Sequence, residues 1–187
     1  MARLIIIVLA LALAVSAVLA LRTCGNTRPV AVAQKGADLS AVVALPNGSV
    51  LTAAKGTVGR DMVDWLASSD KTERYFELGG KEFDGRSIEP TIESKIRIRR
   101  GIAILKAHPD VTLSVIGFSS ASGNPAADMK LSKARADWIV KALHDGGVPS
   151  DRLSAAGRGS ADPIGDEATA AGRARNERVA MILRHER

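Results

Sequence analysis

The chain has 187 residues, enough for one domain with a full hydrophobic core and additional segments. Aromatic residues make up only 3% of the sequence, so a core must consist mainly of Ala, Val, Ile and Leu. The formal net charge of +6 indicates an anionic partner, such as nucleic acid, anionic lipid or a polymer that carries carboxylates. The only cysteine, Cys24, excludes an internal disulfide, so the fold does not depend on oxidation.

The first element in chain order is an apolar segment. Arg3 is followed by residues 4–21, which carry no charge, and this pattern predicts an export signal or a membrane anchor. The length of the segment favours an uncleaved anchor over 1–22, followed by a tether over 23–40. We therefore expect a cell-envelope protein whose remaining chain lies in the periplasm, and export argues against a nucleic-acid partner.

Two other fates of this segment stay open. A cleavage motif is present at Val15-Ser16-Ala17, inside the apolar run. Lipid attachment at Cys24 is the second alternative, although Arg22 and Thr23 are a poor match to the small residues that precede a lipid-modified cysteine.

Residues 41–70 predict a hairpin and one short helix. Asn47-Gly48 lies between two short apolar runs, which is the strongest local signal for a hairpin. The helix that follows has apolar residues at helical spacing: Val58, Met62, Trp65 and Leu66. Because this segment buries little surface alone, we expect it to pack on the following domain or to form a small collar.

Residues 71–187 alternate between strand and helix patterns. The predicted elements are, in order, a strand in "RYFELGGKEF", a helix from Pro90 to near His108, a strand in "DVTLSVIGF", a long helix ending at Gly146-Gly147, a strand in "RLSAAGRG", a short helix in "DEATAAGRARN" and a strand in "RVAMILR". The order βαβαβαβ predicts an α/β two-layer sandwich with the helices on one face of a small mixed sheet.

Apolar spacing also predicts which residues face the core. The inward residues are Ile92, Ile96, Ile102 and Leu105 in the first helix of this domain, Leu131, Ala134, Trp138, Ile139 and Ala142 in the long helix, and Val111, Leu113, Val115, Val179, Met181 and Leu183 in the strands.

The loop "GFSSASG" at 117–123 lies between a strand and a helix, a common place for a functional site. It lacks the second glycine of the G-x-S-x-G nucleophile motif, and the downstream His185 lies at the end of the chain. No pair of His or Cys residues has the spacing of metal ligands, and the glycines at 157 and 159 predict a turn. We therefore predict no catalytic residue, no metal and no cofactor, and a site that binds without covalent chemistry.

Residues 74–187 resemble the OmpA-like carboxy-terminal domain of bacterial envelope proteins. The resemblance is carried by "FDGRSIEP", "HPDVTLSVIGF", "LSKARADWIVKALHDGGVPSDRLSAAGRGSADPI" and "GRARNERV". It implies non-covalent binding of peptidoglycan through the diaminopimelate of the stem peptide. In the family, an Asp of a "TDxxG" loop holds the ligand's ammonium and the Arg of "LSxxRA" holds its carboxylate, a pairing that suits the planar guanidinium.

The match to the family's binding residues is partial. Arg135 occupies the position of the arginine, but Ser120 stands where the family has the aspartate, and Glu177 replaces the first arginine of "NRRV". A neutral partner in place of a charged one could weaken affinity about ten-fold or more. The predicted ligand-binding residues are Arg135, Ser120, Ser119, Asp128, Asn176, Glu177 and Arg178.

We hypothesise that the missing carboxylate has moved rather than disappeared. Asp128 precedes Arg135 by seven residues on one helix, which places their Cα atoms about 10.5 Å apart on one face. Glu177 is a second candidate for the acid. The alternatives are that Asp128 only stabilises the start of the helix, and that Arg135 forms a structural ion pair with Asp128 or Glu177.

Two functions follow from this pattern. The first is a membrane-anchored envelope protein that binds peptidoglycan. The second is an OmpA-like scaffold, or protein-interaction module, in an envelope complex that has lost peptidoglycan binding. A buried Arg135 with no open cavity beside the serine loop would favour the scaffold.

Overall fold

The computed structural model describes residues 41–79 and 81–186, so the predicted anchor (1–22) and tether (23–40) lie outside it. Its helices are Val58–Ala67 (α1), Ile92–Ala107 (α2), Pro125–Asp145 (α3) and Ala170–Asn176 (α4). Its strands are Val42–Ala44 (β1), Val50–Thr52 (β2), Arg74–Glu77 (β3), Val111–Gly117 (β4), Leu153–Gly157 (β5) and Val179–His185 (β6). Within these residues, no helix has both the length and the apolar character to cross a membrane.

Strands β1 and β2 form the predicted hairpin. They pair antiparallel, with Val43 opposite Leu51. The turn contains Asn47, whose Oδ1 accepts a hydrogen bond from the Ser49 backbone N–H at 3.1 Å, and Gly48 at φ +81°. Because only glycine adopts this φ without steric cost, the turn depends on Gly48.

The other four strands form one mixed sheet in the order β3-β6-β4-β5. Strand β6 runs antiparallel to β3 and β4, while β4 and β5 are parallel. The predicted inward residues of β4 and β6 are confirmed: Val111, Leu113, Val115, Val179, Met181 and Leu183 are all buried. The βαβαβαβ order and the α/β sandwich are confirmed as well.

Helix α1 packs on the larger domain, one of the two arrangements expected for it. Its residues Met62, Trp65 and Leu66 belong to the same buried cluster as Leu105 of α2 and Leu143 of α3. Each such side chain contributes about 1.5–3 kcal/mol when fully buried, so the hairpin–helix segment stabilises the domain rather than standing apart from it.

The first predicted strand of the domain is shorter than expected. It ends at Glu77, and Gly79 follows at φ +75°, which takes the chain out of the sheet. Phe83 instead forms an isolated bridge with Pro90. The segment between these two residues is therefore a loop, and this loop reaches the candidate site described below.

The predicted inner face of α2 was partly wrong. Thr91 caps the helix, so Ile92 lies in its first turn, where its side chain is 73% exposed. Ile96 and Ile102 are only half-buried, whereas Leu105 is buried as predicted and Ile104 joins it. The apolar spacing correctly predicted a helix, but it did not predict which residues of the first turns face the core.

The predicted inner face of α3 was also partly wrong, by about one residue. Ile139 is buried as expected, but the other predicted positions, Leu131, Ala134, Trp138 and Ala142, are half-buried. The buried residues of α3 are Asp128, Ser132, Arg135, Ala136, Ile139 and Leu143. Three of these are polar, and hydrophobic periodicity does not detect a buried face whose polar groups are paired.

Two glycines bring α3 unusually close to the sheet. A Cβ at Gly117, the last residue of β4, would overlap the Ser132 carbonyl oxygen. A Cβ at Gly157, the last residue of β5, would lie 2.6 Å from the Lys133 backbone nitrogen. The carboxyl ends of both strands therefore contact the backbone of α3 directly, about one turn from Arg135. This close contact fixes the position of α3 relative to the serine loop.

Candidate ligand-binding site

The candidate site lies where β4 ends and the serine loop begins. Three other segments converge there: the loop before α2, the first half of α3 and the residue after α4. They bring together five side chains that form one network of ion pairs and hydrogen bonds: Arg86, Ser120, Asp128, Arg135 and Glu177.

Arg135 is the buried centre of this network. It is only 2% exposed, and its guanidinium is held by the protein on all sides. Its Nε donates to the Ser87 carbonyl oxygen at 2.9 Å, Nη2 donates to the Gly85 carbonyl oxygen at 2.6 Å, and Nη1 forms an ion pair with Glu177. The guanidinium also lies 5.3 Å from the centre of the Phe83 ring. Its position is therefore set by the loop before α2.

Glu177 accepts four hydrogen bonds from groups of this network. Its Oε1 accepts from the Ser120 hydroxyl at 2.7 Å, the Ser120 backbone N–H at 3.1 Å and Arg86 Nη1 at 3.0 Å. Its Oε2 accepts from Arg135. Two guanidiniums, one hydroxyl and one backbone N–H thus surround a single carboxylate, an arrangement that binds carboxylates strongly. We call these four donors the carboxylate receptor.

Asp128 is buried in the first turn of α3 and pairs with Arg86 rather than with Arg135. Its Oδ1 accepts from Arg86 Nη2 at 2.7 Å, and its Oδ2 accepts from the Ser122 backbone N–H at 3.0 Å. Burial alone would raise the pKa of Asp128, but hydrogen bonds from Ser122, Arg86 and Ser160 outweigh it and lower the pKa below its ordinary value. Asp128 is therefore charged, and both of its carboxylate oxygens have hydrogen-bond partners within the protein.

Arg86 is the network residue that sequence reasoning missed. Its side chain is 40% exposed, and it bridges Asp128, Glu177 and the Ser120 carbonyl oxygen. These partners lie 34 to 91 residues away along the chain, so no local pattern reveals them. The available signal was the motif "FDGRSIEP", which carries the family resemblance and contains Arg86.

Ser119 contacts the network through the backbone of Asp128. Its backbone N–H donates to the Gly159 carbonyl oxygen at 2.8 Å, and its hydroxyl donates to the Asp128 carbonyl oxygen at 3.4 Å. The Ser119 side chain is thus directed at the backbone of α3, and it contacts the network through the main chain of Asp128.

Asn176 and Arg178 flank Glu177 and hold nearby loops. Asn176 Oδ1 accepts from the backbone N–H groups of Ile164 and Gly165, both at 2.8 Å, and is fully buried. The Arg178 guanidinium lies 3.8 Å above the Phe118 ring. Both residues therefore fix the chain on either side of Glu177, through partners outside the network.

The network carries two positive and two negative groups, so it is electrically balanced by its own residues. Through residues 41–79 and 81–186, no cluster of three or more His, Cys, Asp or Glu side chains has the arrangement of a metal site. The geometry of the carboxylate receptor suits the binding of a carboxylate, and Glu177 occupies that position.

The model of the OmpA family matches residues 82–177, slightly more than half of the chain. The chain belongs to the OmpA family, as the resemblance predicted. The matched segment includes all five residues of the network.

Curated relatives share this domain over part of their length. The probable lipoprotein YiaD of Escherichia coli is 39% identical over 84 residues, which are 44% of this chain and 38% of the relative. The peptidoglycan-binding protein ArfA of Mycobacterium tuberculosis is 35% identical over 79 residues, 42% of this chain and 24% of the relative. The chain thus spans less than half of the length of the curated relatives that it matches.

Among solved structures, the periplasmic domain of MotB from Helicobacter pylori superposes with a TM-score of 0.55. The superposition covers 64% of this chain and 88% of that structure at 22% sequence identity. At this identity, the likeness supports the fold alone.

Proposed function

We propose that this protein is a cell-envelope protein whose OmpA-like domain binds peptidoglycan non-covalently. Membership of the family and the similarity to ArfA, which is named for peptidoglycan binding, support this proposal. The observation that carries it is the carboxylate receptor, where four donors converge on one carboxylate oxygen pair. The free end of diaminopimelate presents such a carboxylate beside an ammonium.

In this proposal, the ligand's carboxylate takes the place of the Glu177 carboxylate. Arg135 keeps its bonds to the Ser87 and Gly85 carbonyl oxygens, so the buried guanidinium does not have to move. Glu177 is 13% exposed in its side chain and follows the last residue of α4, which gives it a path outward. Exchange of one carboxylate for another leaves no buried charge unpaired, and this avoids the main cost of opening the site.

The displaced Glu177 would also supply the acid that the serine loop lacks. Ser120 cannot neutralise an ammonium, whereas the Glu177 carboxylate lies within hydrogen-bond distance of Ser120 before displacement. Asp128 remains paired with Arg86 at the side of the pocket. We therefore assign the carboxylate of the ligand to Arg135, Arg86 and Ser120, and its ammonium to Glu177.

The test is co-sedimentation of the full-length protein, held in phosphatidylcholine nanodiscs, with purified peptidoglycan. We expect sedimentation that free diaminopimelate reverses. Arg86→Gln should weaken binding about ten-fold, because it removes one charged hydrogen bond from the receptor. Arg184→Gln is the matched control, since Arg184 is an exposed arginine that pairs with Glu73 in the sheet. Equal binding by the two variants would contradict the assigned site.

A scaffold function is the second candidate, and the burial of Arg135 favours it. All three guanidinium nitrogens of Arg135 already bind protein groups, so the site is complete without a ligand. If the domain is only a scaffold for other envelope proteins, the unmodified protein will not sediment with peptidoglycan. Glu177→Gln separates the two: under the binding proposal it weakens capture of diaminopimelate, because it removes the acid assigned to the ligand's ammonium, whereas in a scaffold there is no capture to lose and it only lowers stability.

We further propose that residues 4–21 anchor the protein in the membrane, with the domain in the periplasm. The basic residue before an uncharged apolar run supports this. Intact mass measurement of the protein from membranes distinguishes the three fates of the segment: a full-length chain, a chain shortened near residue 17, or a lipid on Cys24. A shortened, soluble product would contradict the anchor.

A further inference from the structure

A cavity of about 330 Å³ lies on a different part of the domain, between the start of α1 and the middle of α2. None of the five network residues lines it. Its inner wall is apolar and consists of Met62, Ile104, Leu105, Leu113, Leu143 and Met181. Small-molecule sites in proteins have volumes of about 300–1,000 Å³ and walls that are mostly apolar, so this cavity has the size and lining of a binding site.

The mouth of the cavity is positively charged. Its exposed lining residues are Gly56 and Thr57 on one side and Arg100 on the other. Thr57 caps α1, so the positive end of that helix faces the opening. Arg97 lines the cavity one turn before Arg100, and its side chain is 33% exposed. An apolar interior below a cationic rim complements a molecule with a long apolar part and an anionic end.

The one acidic side chain in the wall does not oppose an anion. Glu82 is 3% exposed, and its Oε1 lies 2.6 Å from Arg97 Nη2, although that contact is not aligned as a hydrogen bond. The pair is close to neutral as a unit. Burial raises the pKa of Glu82, and the ion pair with Arg97 opposes that shift.

We propose that this cavity binds a single aliphatic chain that carries an anionic headgroup. The chain fills the space between α1, α2 and the sheet, and the headgroup lies between the start of α1, Arg97 and Arg100. The proposal is independent of peptidoglycan binding, because the two sites share no residue. Free fatty acids and lysophospholipids both have this chemistry, and the test separates them.

The test uses photoreactive lauric acid with the full-length protein in phosphatidylcholine nanodiscs, and mass spectrometry to locate the label. We expect labelling within residues 56–62 and 97–105. Arg100→Glu should reduce labelling about ten-fold, because it replaces a charged hydrogen-bond donor with a like charge. The matched control is Arg99→Glu, the exposed neighbour that does not line the cavity. Equal loss in both variants, or label spread over the surface, would overturn the proposal.

A second variant tests the cavity itself. A Cβ at Gly101 would lie 3.6 Å from Leu143 Cδ2, in ordinary contact, so Gly101→Leu directs a side chain into the space. We expect it to abolish labelling while the circular dichroism spectrum is kept, and unchanged labelling would overturn the site. Competition by laurate but not by lysophosphatidylglycerol assigns a free fatty acid, the reverse assigns a lipid phosphate, and equal competition by uncharged dodecanol overturns the anionic headgroup.

Discussion

The polar network and the cavity differ in how their buried side chains find contacts. At the network, four charged groups lie together, and each finds its partner within the chain. At the cavity, apolar side chains enclose a space that the protein itself does not fill.

The difference follows from what each kind of surface costs. An unpaired buried charge costs several kcal/mol, so a binding site built from charges must hold substitute partners whenever its ligand is absent. An apolar cavity wall loses only dispersion contacts, and the one buried acid in this wall, Glu82, forms an ion pair with Arg97. In the network, Glu177 therefore pairs with Arg135 and Arg86 when no ligand is bound. The apolar wall of the cavity needs no substitute partner.

The largest expected effect comes from breaking the network at its centre. Arg135→Ala should lower the free energy of unfolding by about 3–5 kcal/mol, because it removes one partner of a buried ion pair. Urea unfolding measures this change. Arg158→Ala, at an exposed arginine paired with Asp162, should cost under about 1 kcal/mol. Similar costs for both variants would mean that the network contributes no more than a surface pair.

Next in size is the contact that positions α3 under the network. Gly117→Ala should destabilise the domain by about 1–3 kcal/mol, because the new Cβ overlaps the Ser132 carbonyl oxygen. Thermal unfolding followed by circular dichroism measures it. Gly59→Ala in α1 is the control, since its Cβ would have no atom within 4 Å. A neutral Gly117→Ala would show that α3 can shift and that the network tolerates the movement.

A smaller effect of opposite sign is expected at the cavity. Gly101→Ala should raise the free energy of unfolding by about 0.5–1 kcal/mol, because alanine favours a helix interior over glycine. The cavity leaves room for the added methyl group. Gly147→Ala should destabilise instead, since Gly147 has φ +90°. Destabilisation by both in chemical unfolding would indicate that the space beside α2 is closed.

The smallest effect is expected at Glu82, the acidic residue in the cavity wall. It should be measurable as a pH dependence of the free energy of unfolding. Burial raises the pKa of Glu82 above its ordinary value of 4.5, although Arg97 opposes the shift. The folded protein then binds more protons than the unfolded chain between the two pKa values, so this residue's contribution to stability falls as pH rises through that window.

Glu82→Gln removes this titration. The free energy of unfolding of the variant, relative to the unmodified protein, should therefore increase from about pH 4 towards neutrality. Chemical unfolding over a series of pH values measures the difference, with Glu73→Gln as the control at an exposed position paired with Arg184. A difference that decreases with pH would show that the ion pair with Arg97 outweighs the burial of Glu82.

Much of the fold was predictable, because it depends on local signals. Alternating apolar residues identified β4 and β6, and Gly146-Gly147 marked the end of α3. The inner face of α3 was not predictable from hydrophobic spacing, because Asp128 and Arg135 are buried through partners far along the chain. The same distance hid Arg86.

The two sites differ in how much of each the sequence predicted. Arg135 and Glu177 were both placed by motif position, and the ion pair between them was one of the alternatives considered for Arg135. The cavity had no sequence signal, since its lining comes from both halves of the domain and each residue fits an ordinary core pattern.

Strand β6 is the last of the strands in chain order, yet it lies between β3 and β4. Strand β3 consequently has no pairing partner in the sheet until residues 179–185 arrive. In a chain synthesised from its amino end, β4 and β5 can pair with each other first, but β3 stays unpaired until β6 is present. Completion of the sheet thus depends on β6, and a chain that stops before residue 179 leaves β3 and one edge of β4 unpaired.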